Sequence, residues 1–386
     1  MQKVIVIGGN HHNTLGVIRA LGRKGVNPYV ILTASDKEPF VAKCKYITEI
    51  WTDLKPSEVP HFLLTNFTDR KEKPVLIACN DTNSFVLDEN RNELSNYFVV
   101  PGTKDGQLKL YMNKLEMSLM AAKNGLTVPY SSVVYDGYID EDLQFPCIVK
   151  PEFSNRGTKK DINIFENKEC LRKFLKGNPK RYNIQHFIDK QFEYQLIGCS
   201  LNNGEEIIIP GYSKLIRPGN GSNTGFLCYD NYPDDFLNII ERSKHFIKET
   251  GYNGLFSVEF LRGKDGIDYF MEINFRNDGN GISVTNAGVN LPYIWYLYNT
   301  GAEFRNEIKS ITKQYVMPEF TELSMWYSGQ ISWRNFRADM KLATSYMDYD
   351  SEDPAPTCGW CNYRKMLINM MIKKPVKSFI SLLKGQ

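Results

Sequence analysis

At 386 residues the chain is longer than one hydrophobic core comfortably serves, so two or three domains are expected. With 42% hydrophobic and 24% charged residues it is a globular composition, which excludes a disordered or fibrous chain. The 47 basic and 44 acidic residues leave a net charge of only +3, too balanced for nucleic acid as the main partner. The first residues enter a strand pattern without the apolar stretch of a secretory leader, and no apolar run approaches the roughly 20 residues of a membrane span. The eight cysteines are scattered and read as reduced thiols, so a cytoplasmic location is expected.

Residues 3–7 form a continuous apolar run, the mark of a strand buried on both faces of a parallel sheet. Gly8, Gly9 and Asn10 follow, then apolar residues at helical spacing (Leu15, Ile18, Leu21) and a second strand at 28–32. This is a βαβ unit with a tight glycine turn before its helix. A dinucleotide site would need a full Gly-x-Gly-x-x-Gly and an acidic residue after the second strand. The motif is incomplete and Asp36 lies beyond a short loop, which favours a turn in a substrate-binding layer. A further strand at 74–79 ends in Asn80 and Asp81. Polar residues at the C-terminal ends of parallel strands face the ligand crevice, so Gly9, Asn10 and Asp81 are candidates for one substrate site. Asp81 would serve equally as the cap of the next helix.

A helical pattern spans 110–124 and a short strand with a lysine before a proline spans 145–151. Strands that look antiparallel follow at 160–165 and 182–188, around a helix at 168–175. A hairpin is expected from 193–201 and 206–212 across Asn202-Asn203-Gly204, then a helix at 234–250 and paired strands at 254–261 and 268–273. Between the first hairpin and that helix, the glycine-rich stretch 217–225 after Lys214 reads either as a hairpin tip or as a loop covering substrate.

The densest chemical signal lies in this last pair of strands. Alternation puts Glu272 and Asn274 on one face, and a cross-strand partner brings Glu259 beside them. Two carboxylates and an amide oxygen make a hard, all-oxygen set suited to Mg²⁺ bridging substrate phosphates. The flanking residues Phe256, Val258, Phe260, Phe270, Met271, Ile273 and Phe275 surround these groups with core, and buried carboxylates need a partner that a metal supplies. Arg276, two residues on, offers a guanidinium for a transferring phosphoryl group.

Glu259 followed by Glu272-x-Asn274-x-Arg276 resembles the metal-binding end of ATP-grasp enzymes. Upstream, Asn113-Lys114, residues 148–151 (Ile-Val-Lys-Pro), residues 184–188 (Ile-Gln-His-Phe-Ile) and Glu193 fall in that family's order, and the resemblance runs from residue 1 to about residue 300. It implies an α/β and α+β fold. An N-terminal Rossmann-like parallel α/β domain (1–110) would precede a two-lobed ATP-grasp fold with antiparallel sheets (111–188 and 189–305), and an extension would occupy 306–386. It also implies roles. Lys114 and Lys150 would contact ATP phosphates, with Ser154 and Gly157 in a phosphate lid. Gln185 and Ile188 would offer backbone groups to adenine, and Glu193 would hold the ribose. Glu259, Glu272 and Asn274 would bind Mg²⁺ or Mn²⁺, and Lys150 and Arg276 would act on the reacting groups. Lys214, Asn280 and Ser283 would join Gly9, Asn10 and Asp81 at the substrates, although Ser283 also reads as a helix cap.

Within the family the chain looks most like carbamoyl-phosphate-synthase-like and D-aspartate-ligase-like carboxylate–amine ligases. These make an acyl-phosphate from a small-molecule carboxylate and join it to an amine. The same ATP and metal residues would also serve a kinase with a stable phosphorylated product, or a non-catalytic nucleotide-binding module. A homodimer is compatible with this reading. Two features stand apart. Cys358 and Cys361 form a lone Cys-x-x-Cys that follows a loop rather than the strand-to-helix setting of a redox pair and lacks the further ligands that zinc requires, which favours a structural role. Residues 364–386 carry six basic and no acidic side chains among apolar ones, which suits either a terminal helix packed on its domain or peripheral contact with a membrane or partner.

Overall fold

The computed structural model describes residues 2–33, 38–68, 72–104, 106–134, 139–151, 162–177, 181–219 and 222–357. Asp36, Ser154, Gly157, the Cys358–Cys361 pair and the basic segment 364–386 lie outside the described residues.

The N-terminal layer runs β1 (Val4–Gly8), α1 (His12–Gly22), β2 (Tyr29–Leu32), β3 (Glu49–Trp51), α2 (Val59–Asn66), β4 (Val75–Ala78), α3 (Asp81–Glu89) and α4 (Arg91–Leu94). Its four strands are parallel, in the order β3-β2-β1-β4. Successive residues of β1 enter different cores, as the period of two demands. Val4 and Val6 pack with Leu15 and Ile18 of α1, whereas Ile5 and Ile7 pack with Leu63 of α2 and Leu87 of α3. The strand is thus buried on both faces, which is why its sequence is a plain apolar run.

The next segment contains α5 (Leu108–Tyr111), α6 (Lys114–Lys123), β5 (Ser131–Val134), β6 (Cys147–Pro151), β7 (Asn163–Phe165), α7 (Lys168–Gly177) and β8 (Tyr182–His186). The continuous helix expected at 110–124 is broken at Asn113. Its side chain accepts from the backbone N–H of Leu115 at 2.9 Å and of Glu116 at 3.2 Å, starting a new helix at Lys114. The strands form a small antiparallel sheet, β5-β8-β6-β7. One face, with Cys147, Val149, Tyr182 and Ile184, is sealed by Leu171 and Leu175 of α7. The other carries Ser131, Lys150 and Gln185.

The large sheet is built from β9 (Lys190–Leu201), β10 (Glu206–Ile208), β11 (Tyr212–Gly219) and β12 (Ser222–Asp230), with α8 (Leu237–Thr250) leading to β13 (Gly254–Gly263) and β14 (Asp268–Asn274). Then come α9 (Gly281–Ala287), α10 (Leu291–Asn299), β15 (Gln314–Met317), α11 (Glu319–Tyr327), α12 (Trp333–Leu342) and β16 (Ser345–Tyr346). Its order is β14-β13-β9-β11-β12-β15-β16, with β10 paired to β9. Hydrogen bonding therefore continues past residue 305, because β15 and β16 extend the sheet that carries the acidic strands. Phe256, Val258 and Phe260 of β13, with Tyr194 and Leu196 of β9, pack against Phe246 of α8 and Met117 of α6. On the opposite face, Ile197 and Cys199 of β9 join Trp295 of α10 and the core beneath β1. That packing locks the large sheet to the N-terminal layer.

Candidate active site

Glu259 and Glu272 are direct cross-strand partners on β13 and β14, and Ser257 faces Asn274. The register shifts between Glu259 and Phe260, so Phe260 pairs with Phe270 and Met271 is the extra residue of a β-bulge. Without it Phe270, Glu272 and Asn274 would share one face by parity. The bulge sends Phe270 into the core and turns Glu272 and Asn274 outward beside Glu259. Asn274 Nδ2 donates to Glu259 Oε1 at 3.1 Å, and Gln195 Nε2 donates to the same oxygen at 3.0 Å. Burial, then Glu272, then Asp278 push the Glu259 carboxyl up to about 8. A buried carboxyl whose ionisation is opposed by a facing carboxylate is relieved by a divalent cation, and the oxygen donors are those Mg²⁺ prefers. No group of three or more His, Cys, Asp or Glu side chains is placed to hold a metal ion among the described residues, so an ion here would complete its shell with amide, phosphate or water oxygens.

Two lysines face this acidic pair. Lys114, at the start of α6, has its Nζ 3.6 Å from Glu272 Oε2. Lys150 on β6 donates to Gln185 Oε1 at 2.7 Å, and Gln185 Nε2 donates to Ser131 Oγ at 2.8 Å. Burial and then Lys114 lower the Lys150 ammonium to about 8, while Glu272, Glu193 and Glu259 oppose the shift. The small sheet and the large sheet thus present their charges to one cleft. Glu193 lies at its edge, held by Lys190 Nζ at 2.6 Å.

Gln185 differs from the sequence expectation. It sits in an inner strand of the small sheet, paired with Ser131 on one side and Ile148 on the other. Its backbone is therefore engaged in the ladder, and its side chain positions Lys150. The ladder ends just after it, where the Phe187 N–H reaches the Pro146 carbonyl at 2.9 Å, and the half-buried Ile188 is the first residue beyond.

Arg276 connects the acidic strands to the N-terminal layer. Its Nε donates to Asp81 Oδ1 at 3.0 Å and its Nη1 to Asp278 Oδ2 at 3.3 Å. Burial works against its charge, but Asp81 and Asp278 outweigh burial and raise its pKa. Asn80 rather than Asp81 caps α3, accepting from Asn83 N at 2.8 Å, which leaves the Asp81 carboxylate to the arginine. Asn13 bridges the same junction, donating to the carbonyls of Cys79 at 2.7 Å and Asn277 at 2.9 Å. Gly9 borders open space, and Asn10 accepts from the Val41 N–H at 3.2 Å.

Two expected substrate residues are corrected. Lys214 pairs in register with Tyr194, on the face opposite Gln195 and Glu259, and its Nζ lies over the Phe192 ring at 4.2 Å. Strand alternation turns it away from the cleft. Ser283 is fully buried inside α9 and donates to the Asn280 carbonyl at 2.6 Å, so it is neither the helix cap nor exposed to a substrate. Asn280 does reach the cleft, donating from Nδ2 to Gln195 Oε1 at 2.7 Å. Of the glycine-rich stretch, residues 217–219 and 222–225 belong to the paired strands β11 and β12, with Arg217 tied to Glu322 at 2.5 Å and to Asp339. Gln195 was missed from the sequence, although it stands two residues after Glu193 on the same strand face.

No protein-family profile matches the chain. It is 27% identical over 218 residues to a formate-dependent phosphoribosylglycinamide formyltransferase of Ignicoccus hospitalis, and 23% identical over 248 residues to a D-aspartate ligase of Enterococcus faecium. These matches cover 52% and 58% of this chain and the same shares of the relatives, so the chain spans only a little over half of their length. Among solved structures, N5-carboxyaminoimidazole synthetase of Staphylococcus aureus superposes with a TM-score of 0.66 at 15% identity, over 85% of this chain and 86% of that one. An L-amino acid ligase of Bacillus licheniformis gives 0.61 at 14% identity, over 82% and 80%. The chain has the ATP-grasp fold and resembles the ATP-grasp carboxylate–amine ligases. Among the described residues no helix is long and apolar enough to cross a membrane.

Proposed function

We propose that the chain is an ATP- and Mg²⁺-dependent ligase that phosphorylates a carboxylate to an acyl-phosphate and joins it to an amine. The observation that carries this is the single cleft in which Lys114 and Lys150 face Glu259, Glu272 and Asn274, with Arg276 at its inner end. The ammonium groups would hold ATP phosphates, and the backbone beyond Phe187, with Glu193, would hold the nucleoside. The metal bound by Glu259, Glu272 and Asn274 would neutralise charge on the phosphates. Arg276, fixed by Asp81 and Asp278, would steady the acyl-phosphate next to the N-terminal layer.

Carboxylate oxygen forms a bond to the γ-phosphorus as ADP departs. The amine nitrogen then bonds to the acyl carbon as the carbon–oxygen bond breaks, and phosphate and the surplus proton leave. Residues 1–110, 111–305 and 306–386 serve as working divisions of the chain, and both substrates are small molecules. The test is an ADP-release screen over paired carboxylates and amines with Mg-ATP. ADP and phosphate formation that needs both partners, and is lost in Glu272→Ala, supports the ligase. A stable phosphorylated product made without an amine would establish a kinase instead.

A further inference from the structure

We propose that His12 Nε2 and Asn280 Oδ1 together hold the attacking amine, on either side of Gly279; this rests on the ligase reading above. His12 opens α1, and its Nε2 is buried with no hydrogen-bond partner. A Cβ placed on Gly279 would lie 3.3 Å from that nitrogen and 3.5 Å from Thr224 Oγ1, so α1, β12 and the turn before α9 converge on one point. Asn280 is 3% exposed, and its Oδ1 also has no partner.

The orientation of this amide follows from the carboxylate end of a relay. Glu259 accepts from Gln195 Nε2, which leaves Gln195 Oε1 to accept from Asn280 Nδ2 and turns Asn280 Oδ1 away. A buried acceptor without a donor is costly unless a ligand supplies one. Burial, and then the neighbouring His11, push His12 down to about 3, so its ring is neutral and carries no charge toward this point. An unpartnered amide oxygen and an uncharged imidazole nitrogen suit an amine, which has N–H groups to donate and a lone pair to accept, better than a phosphate or carboxylate. The position also fits the chemistry. Asn280 is one side chain removed from Glu259, and Asp278, two residues earlier, holds Arg276. An amine held here lies between the metal carboxylates and the arginine that would steady the acyl-phosphate.

Hydroxylamine is the probe, used with Mg-ATP and each of the common amino acids in both L and D forms as the carboxylate donor. Hydroxamate formation is measured for wild type, His12→Leu and Gly279→Ala. The expected result is at least a tenfold rise in the KM for hydroxylamine in both variants, with the KM for ATP and calorimetric Mg-ADP binding unchanged. Wild-type KM values for hydroxylamine would overturn the assignment. Should His12→Leu fail to fold, Gly279→Ala decides alone, since its methyl enters the gap between the two elements. If wild type yields no hydroxamate from any of these donors, the ligase reading is decided by the wider ADP-release screen. Histidine ¹⁵N NMR of the Mg-ADP complex then decides the amine site. A His12 Nε2 resonance that moves with hydroxylamine supports it, and an unmoved one overturns it.

Discussion

Gln195 holds Glu259 with one end of its amide and Asn280 with the other, so a single side chain couples the acidic pair to the turn before α9. Replacing it by leucine keeps the volume of a nearly buried position and removes both hydrogen bonds. Gln195→Leu is expected to lower turnover at least tenfold while the thermal midpoint moves by only a few degrees, checked by steady-state rates beside calorimetry. Lys150→Met should raise the KM for ATP, because the ammonium that Gln185 positions is lost; an unchanged KM would remove Lys150 from the nucleotide site. The acidic residues were legible in the sequence because Glu-x-Asn two apart, opposite a further Glu, is rare among so many apolar neighbours. Lys214 and Ser283 were misjudged for one common reason. Composition says that a polar residue is near a site, but strand parity and helix phase decide whether it faces it, and both depend on pairing. Gln195 was hidden because an amide carries no charge signal.

At the scale of elements, the bulge at Met271 sets which residues of β14 meet the cleft. A bulge is set by the pairing of two strands, so the apolar–polar pattern of β14 alone could not reveal it. The parallel order of the N-terminal strands was legible from uninterrupted apolar runs and glycine turns, and the hairpin β9–β10 from its Asn-Asn-Gly turn. The break between α5 and α6 was less visible, since Asn113 within a helical pattern reads as a weak former rather than a cap. The hairpin of β11 and β12 rests on Gly225, where any Cβ would meet the Arg217 carbonyl oxygen at 2.0 Å. Gly225→Ala therefore forces the strands apart and is expected to cost about 1–3 kcal/mol, read from denaturant midpoints. A variant as stable as wild type would show that the hairpin accommodates the methyl elsewhere.

At the largest scale, α1 is tied to residues 348–353, far from it in the chain. Arg19 of α1 is 2% exposed and donates to the Asp353 carboxylate at 2.9 Å, to the Asp348 carbonyl at 2.6 Å and to the Asp353 carbonyl at 2.8 Å. Arg19→Met strands these acceptors and should destabilise the fold by about 3–5 kcal/mol, measured by chemical denaturation. Nearby, burial and Asp348 push the Glu319 carboxyl up to about 8, and burial pushes Asp348 up to about 6. Their folded forms bind protons more tightly than the unfolded chain, so stability declines as pH rises from about 4 through about 8. Glu319→Gln should flatten that decline in the thermal midpoint; an unchanged slope would place its origin elsewhere. None of these long-range ties could be seen in the sequence, because residues 19 and 353 are brought together only by the completed sheets. The central claim is that this cleft activates a carboxylate with ATP. Its most direct test is turnover of a donor found in the ADP-release screen, carrying ¹⁸O in its carboxylate, with mass analysis of the released phosphate. An acyl-phosphate transfers one labelled oxygen to each phosphate, and phosphate released without label would contradict the account.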